Sequence, residues 1–136
     1  MTAKLLRERY EPLAVVGRGG EGEVIRALDH LHGRQIALKV RPVRCQASRV
    51  HLLSEARVLL GLAPHAGLPL VREDFFVDDR YVIAMDWIDG TDLEALLAAE
   101  GRPGLEPALV IDYLEQVAQA LGHLHAHDPP VVHGDV

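Results

Sequence analysis

The sequence predicts an α+β fold, a five-stranded antiparallel sheet carrying one inserted helix, followed by a linker and two further helices. Three observations carry this expectation. Apolar, β-branched runs at 10–16, 23–28 and 34–40 follow one another with only turn residues between them. A helical period then opens over 48–60, and two more strand-like runs follow at 70–77 and 80–86. From Thr91 to His127 the pattern is helical. The 136 residues are 49% hydrophobic, enough for an ordinary core.

The first strand delivers the chain to Val16-Gly17-Arg18-Gly19-Gly20-Glu21-Gly22-Glu23-Val24. Glycine at this density lets main-chain N–H groups approach a ligand with no Cβ in the way, and such loops cradle phosphates. The spacing Gly17-x-Gly19-x-x-Gly22 also occurs in dinucleotide-binding folds, but there a helix must open at the loop to face the pyrophosphate. Here a strand opens instead, so that reading does not fit. Asp29 to Gly33 supply turn chemistry before the third strand. In that strand, period two sets Ile36 and Leu38 on one face and Ala37 and Lys39 on the other. Lys39 either snorkels from an edge strand or, beside a small Ala37 that leaves room for a flat ligand, reaches phosphates.

In the helix over 48–60, Leu52, Glu55, Ala56 and Leu59 fall at i, i+3, i+4 and i+7, which places a carboxylate inside the apolar stripe. A buried carboxylate needs a partner. Lys39 is the expected one, with Arg57 or water as the alternative. Pro64 to Pro69 turn the chain, and Asp78-Asp79 joins the last two strands. Ile88-Asp89-Gly90-Thr91 reads as a linker between two lobes. Thr91 or Asp92 caps a short helix through Glu100, and Gly101 to Gly104 end it. The next helix, 107–127, carries Val110, Leu114, Val117, Leu121 and Leu124 as one stripe and stops before Pro129-Pro130. Val131-Val132 then reads as a short strand running into His133-Gly134-Asp135.

Composition excludes several classes. A formal net charge of -6 with no basic run argues against nucleic acid as a partner. One cysteine, Cys45, makes no internal disulfide and reads as a packing residue in a reducing compartment. Early charges interrupt any signal peptide and there is no 18-residue apolar run, so no membrane partner and a cytoplasmic location are expected. His123 and His127 share ligand spacing on a helix but lack a third ligand, and zinc is set aside. Asp86, Asp89 and Asp92 lack the calcium-loop spacing and read as linker and helix cap. No metal site is expected.

Gly17-x-Gly19-x-x-Gly22-x-Val24, then Ile36-Ala37-Leu38-Lys39, then Glu55, then His133-Gly134-Asp135 resemble the protein kinase signature set in order and spacing. The resemblance runs from about Tyr10 to Val136 and is greatest to bacterial Ser/Thr protein kinases with eukaryotic-type motifs. It implies a kinase small lobe that binds ATP at 1–86, a hinge at 87–90, and a partial large lobe at 91–136. By the same resemblance, the backbone of Gly17, Gly19, Gly20 and Gly22 covers the ATP phosphates, Lys39 contacts them, and Glu55 holds Lys39. Val24 and Ala37 sandwich adenine, Met85 gates the back of the pocket, Asp86 to Ile88 form the hinge, and Asp92 contacts ribose. Asp135 is the catalytic-loop aspartate that accepts the proton of a protein substrate's hydroxyl.

Three departures from the family pattern qualify what is carried over. Glu21 puts a carboxylate at the loop tip, where triphosphate repels it unless it points to solvent. Gly134 replaces the arginine of His-Arg-Asp, which in the family reads activation-loop phosphorylation; His-Gly-Asp also occurs in kinase-like small-molecule phosphotransferases, the runner-up reading. The asparagine and Asp-Phe-Gly that hold Mg²⁺ in the family do not occur after Asp135, so Mg²⁺ is expected only in a full-length parent. A non-catalytic nucleotide-binding or scaffold module is the third reading. Cover is also expected for the stripe of 107–127, by self-association or a partner along Val110, Leu114, Val117 and Leu121. The chain alone is expected not to transfer phosphate, and ATP-dependent phosphorylation by the purified 136 residues would refute that.

Overall fold

The structure, a computed structural model, describes residues 5–20, 22–101 and 103–134. The chain forms two compact units, Met1–Ala63 with Pro69–Trp87, and Pro64–Leu68 with Ile88–Val136. The first holds β1 (Tyr10–Gly19), β2 (Gly22–Asp29), β3 (Arg34–Pro42), α1 (Gln46–Gly61), β4 (Val71–Val77) and β5 (Arg80–Asp86). The strands form one antiparallel sheet in the order β1-β2-β3-β5-β4. The expected five strands and single inserted helix are therefore present. β1 extends beyond 16 through Gly19, so most of the glycine stretch belongs to a hairpin and not to a loop outside the sheet.

Alternation along the strands gives the sheet two different faces. One carries Tyr10, Ile25, Ala27, Ile36, Leu38, Val40, Phe75, Val82 and Ala84 as a single buried cluster. The opposite face carries Tyr81 and Ile83, against which α1 packs Leu52 and Ala56. The helix begins at Cys45, whose N–H is accepted by Ser48 Oγ at 3.1 Å. Cys45 is exposed, because a cap residue lies outside the packed stripe; the expected packing role does not hold.

In the second unit, α2 (Leu93–Glu100) is capped by Asp92, whose Oδ1 accepts the Ala95 N–H at 2.7 Å. α3 (Pro107–His125) starts with proline in its first turn, where the missing N–H costs nothing. It ends two residues before the expected 127. His127 lies in the following turn, its Nδ1 3.0 Å from the Pro129 carbonyl, which dissolves the helical pairing expected of His123 and His127. Ala120 and Leu124 are buried, whereas Val110, Ile111, Leu114 and Val117 are exposed. An apolar cleft of about 440 Å³ runs past Leu68, Leu93, Tyr113, Val117 and Leu121 to His133. The expected strand at 131–132 is not formed. Pro129 and Pro130 have no N–H, and that of Val131 is spent on the Leu124 carbonyl at the end of α3 (3.0 Å), leaving Val132 exposed. Among the described residues no helix is long and apolar enough to cross a membrane.

The first unit has a second organising feature, at the end of the hairpin remote from the glycines. Asp29 is fully buried. Arg9 grips it with two hydrogen bonds of 2.7 Å, His32 Nδ1 lies 2.8 Å from it, and the Leu31 N–H donates to it at 3.0 Å. Arg9 also reaches Glu73 of β4 at 2.7 Å, as does Arg7 at 2.9 Å, and the Tyr10 hydroxyl donates to the same carboxylate. The Tyr10 and Phe75 rings stack at 5.7 Å. β1 and β4 are the two edge strands, and these side chains link them at one end of the sheet. Arg9 holds the Asp29 carboxyl far below the usual carboxylate range, outweighing the opposite effect of burial. A depressed folded pKa adds stability above the unfolded pKa, about 4, and the gain is lost as pH falls through the folded value. Asp29→Asn is therefore expected to lower unfolding stability at pH 7 by about 3–5 kcal/mol, with the gap to wild type closing below pH ~4. Urea unfolding of both proteins across pH 2–7 checks this; a gap that does not narrow with acid would contradict it.

Candidate functional site

The glycine hairpin pairs Gly17 with Val24, Arg18 with Glu23 and Gly19 with Gly22. Gly22 is required by the backbone. Its φ is +140°, and a Cβ there would lie 2.1 Å from the Val40 carbonyl oxygen. The other glycines meet no such obstacle. A Cβ on Gly17 would make ordinary contact with Val24 at 3.9 Å, and one on Gly19 or Gly20 would meet nothing within 4 Å. Internal packing therefore does not explain these three. Their lack of side chains leaves main chain open on the outside of the hairpin.

Strand register arranges the face beneath that hairpin in rows. Val24 of β2, Lys39 of β3 and Ile83 of β5 are opposite one another, and the next row away from the glycines is Arg26, Ala37 and Met85. On the other side, β3 and β5 contribute Arg41 and Tyr81. The structure thus brings Val24, Ala37, Lys39 and Met85 to one face, at the glycine end of β2. Ala37 is buried, and Met85 packs against the cluster under α1.

Glu55 differs from its expected setting. Its side chain is 42% exposed, so it sits at the edge of the apolar stripe and not within it. Arg41 Nη1 bonds its Oε2, and His51 Nε2 lies 3.3 Å from its Oε1. Where Lys39 was the expected partner, the carboxylate is held by Arg41. The reason is geometric. Lys39 and Arg41 are two residues apart and face the same way, and α1 packs on Ile83 and Tyr81, the residues opposite them, so both cations stand beside the helix. Helical periodicity identified the face on which Glu55 lies but not which of two adjacent cations it meets.

Asp86 ends β5. Its N–H donates to the Leu70 carbonyl (2.9 Å), and its carboxylate takes two bonds from Arg72, at 2.7 and 2.9 Å. That bidentate pair lowers the Asp86 pKa, with the nearby Arg34 charge adding to it. The main-chain donor of Asp86 is therefore already committed within the sheet. In the second unit, Ile88 is exposed, Asp92 caps α2, and His133 lies on the rim of the apolar cleft, followed by Gly134 with φ +79°. Asp135, the expected general base, and Glu21, at the loop tip, lie outside the described residues. Among the described residues no group of three or more His, Cys, Asp or Glu side chains is placed to share a metal ion.

Two features went unread in the sequence. Arg9, Asp29 and Glu73 form one network from positions up to 64 residues apart, a separation at which no periodic pattern links side chains. Arg26 stacks its guanidinium over the Trp87 ring, 5.6 Å from the centroid. Period two along β2 puts Arg26 on the Val24 face, which was the available signal.

Comparison with known proteins matches residues 10–136 to the protein kinase domain. The chain is 34% identical over 146 residues to a DNA damage-responsive serine/threonine-protein kinase, RqkA, of Deinococcus radiodurans, covering 97% of this chain and 20% of that protein. It is 26% identical over 148 residues to the serine/threonine-protein kinase PrkC of Bacillus subtilis, covering 100% of this chain and 21% of that one. To the serine/threonine-protein kinase PknD of Mycobacterium tuberculosis it is 33% identical over 130 residues, covering 93% and 19%. The chain thus spans about a fifth of the length of these relatives. With the five-stranded antiparallel sheet, its inserted helix and the ordered motifs already described, the match over 10–136 places this chain in the protein kinase family.

Proposed function

We propose that the first unit binds ATP, with the nucleotide's phosphates under the Gly17–Gly22 hairpin and its base against Val24, Ala37 and Met85. The observation that carries this reading is the hairpin itself. Three of its glycines have no packing reason to be glycine, and they stand at the end of the sheet where Lys39 shares a face with Val24 and Ala37. Main chain bare of side chains and a cation at one end, with a small and apolar surface at the other, suit a triphosphate joined to a flat ring. Lys39 supplies charge to the phosphates, and Glu55 acts on Lys39 only if its bond to Arg41 yields.

By family, 1–86 is read as the ATP-binding small lobe, 87–90 as the hinge and 91–136 as the start of the large lobe. Ile88 offers main-chain contacts to the base, Asp92 a contact to ribose, and Asp135 serves as general base. The relatives are named as Ser/Thr protein kinases, and the whole protein is accordingly proposed to transfer the ATP γ-phosphoryl group to Ser or Thr of protein substrates in the cytoplasm. Mg²⁺, when bound in such enzymes, neutralises charge between the β- and γ-phosphates. The exposed residues Val110, Leu114 and Val117 of α3 are proposed to be covered by self-association.

Nucleotide binding is tested by thermal unfolding. ATP at about 100 times its Kd is expected to stabilise the chain by about 2.7 kcal/mol, and Lys39→Ala to remove most of that gain while leaving the nucleotide-free transition nearly unchanged. Equal stabilisation of both proteins, or none at millimolar ATP, would overturn the reading.

A further inference from the structure

A second cation stands under the glycine hairpin. Arg41 follows Lys39 by two residues on β3 and lies on the same face of the sheet. The register that sets Val24 opposite Lys39 and Glu23 opposite Val40 brings Gly22 next to Arg41. Their approach is close, for a Cβ on Gly22 would lie 3.2 Å from the Arg41 Cα. At about 3.3 Å per residue, Arg41 stands roughly 7 Å beyond Lys39, and Ala37 lies as far from Lys39 in the other direction. A nucleotide with its base on Ala37 and its first phosphates at Lys39 therefore directs its last phosphate toward Arg41.

Glu55 is the anion that a phosphate would have to replace. It accepts a bond from Arg41 Nη1, but its side chain is 42% exposed and that of Arg41 retains 16%, so the pair sits at the solvent boundary, where ion pairs are weak. The helix that carries Glu55 is anchored by Leu52 and Ala56, and it keeps that anchor when the carboxylate is released. A terminal phosphate brings more charge than a carboxylate and matches the guanidinium fork with two parallel bonds. His51 Nε2, 3.3 Å from the other Glu55 oxygen, stays beside the displaced carboxylate. We infer that Arg41 reads the terminal phosphate, exchanging Glu55 for it when a triphosphate occupies the site. This rests on the nucleotide reading above and adds to it a residue that separates ATP from ADP.

Calorimetric titrations of the 136-residue chain with ATP and ADP, without added metal, isolate the terminal phosphate. Arg41→Met keeps an aliphatic stem against α1 and is expected to weaken ATP about fivefold to tenfold, the effect of a charged hydrogen bond less that of the pair it replaces, with ADP unchanged. Glu55→Gln removes the competing anion and is expected to tighten ATP about threefold relative to ADP, a gain that disappears in the Arg41→Met background. An unchanged ATP-to-ADP ratio in Arg41→Met, or an equal loss for both nucleotides, overturns the role of Arg41 while leaving nucleotide binding intact. A gain from Glu55→Gln that persists in the Arg41→Met background also overturns it, because a general charge effect then suffices. Should Arg41→Met fail to fold, Glu55→Gln decides alone, and an unchanged ratio in that variant overturns the inference. A wild-type chain with no saturable response to ATP or ADP overturns the nucleotide reading, and this inference with it.

Discussion

Asp29 has no contact with water, and a charge in that position must be matched within the protein. Arg9 meets it with two parallel hydrogen bonds, a geometry that the planar guanidinium supports and an ammonium does not. The same side chain bonds Glu73 on the far edge strand. One cation therefore joins the start of β1, the turn after β2 and β4. These side chains lie at one end of the face bearing Tyr10, Ile25, Ile36, Leu38 and Val82, which is interior. The opposite face is the one on which α1 packs. The candidate site lies on that face, and this ion pair is at the other end of the β1–β2 hairpin.

On that opposite face, packing divides the rows of residues. α1 needs apolar surface for Leu52 and Ala56 and finds it at Tyr81 and Ile83. Glu55 of the same helix meets Arg41 of β3, which takes the carboxylate. The next row carries Arg26, Ala37 and Met85, and Met85 packs against the same cluster. A half-exposed pair such as Arg41 and Glu55 contributes modestly to stability, so its main effect is on which cation the carboxylate meets.

How much of this was legible in the sequence depended on the range of each interaction. Strand alternation is local, and Ile36, Ala37, Leu38 and Lys39 fall on the faces that their spacing implied. The five strands and the helix between them follow from the same short-range pattern, and Asp92 was recognisable as a cap because the bond it makes spans three residues. Val131 and Val132 had the composition of a strand, but a strand also needs a partner, and the Val131 N–H is used by Leu124 instead. Glu55 was assigned to the right face and the wrong cation because periodicity does not resolve neighbours on one side of a strand. Asp29 read only as a turn residue. Its turn bond to Leu31 is local, whereas the pairing with Arg9 that accounts for its burial depends on the closure of the hairpin.

The glycine hairpin presents the remaining energetic question. Glycine within a strand costs roughly 0.5–1 kcal/mol relative to alanine, because more conformational freedom is lost on folding. Gly22 has a compensating reason, since any side chain there would strike Val40. Gly17, Gly19 and Gly20 have none within the fold, and the exposed Arg18–Glu23 pair across the hairpin, at 3.6 Å, restores little. A hairpin selected for stability alone would carry side chains at those three positions. The proposed ligand supplies what the fold does not: close approach of a phosphate to main-chain N–H groups is possible only where no Cβ intervenes. The hairpin thus forgoes side-chain packing that its length allows, and its glycines stand at the end of the sheet where Lys39 lies opposite Val24.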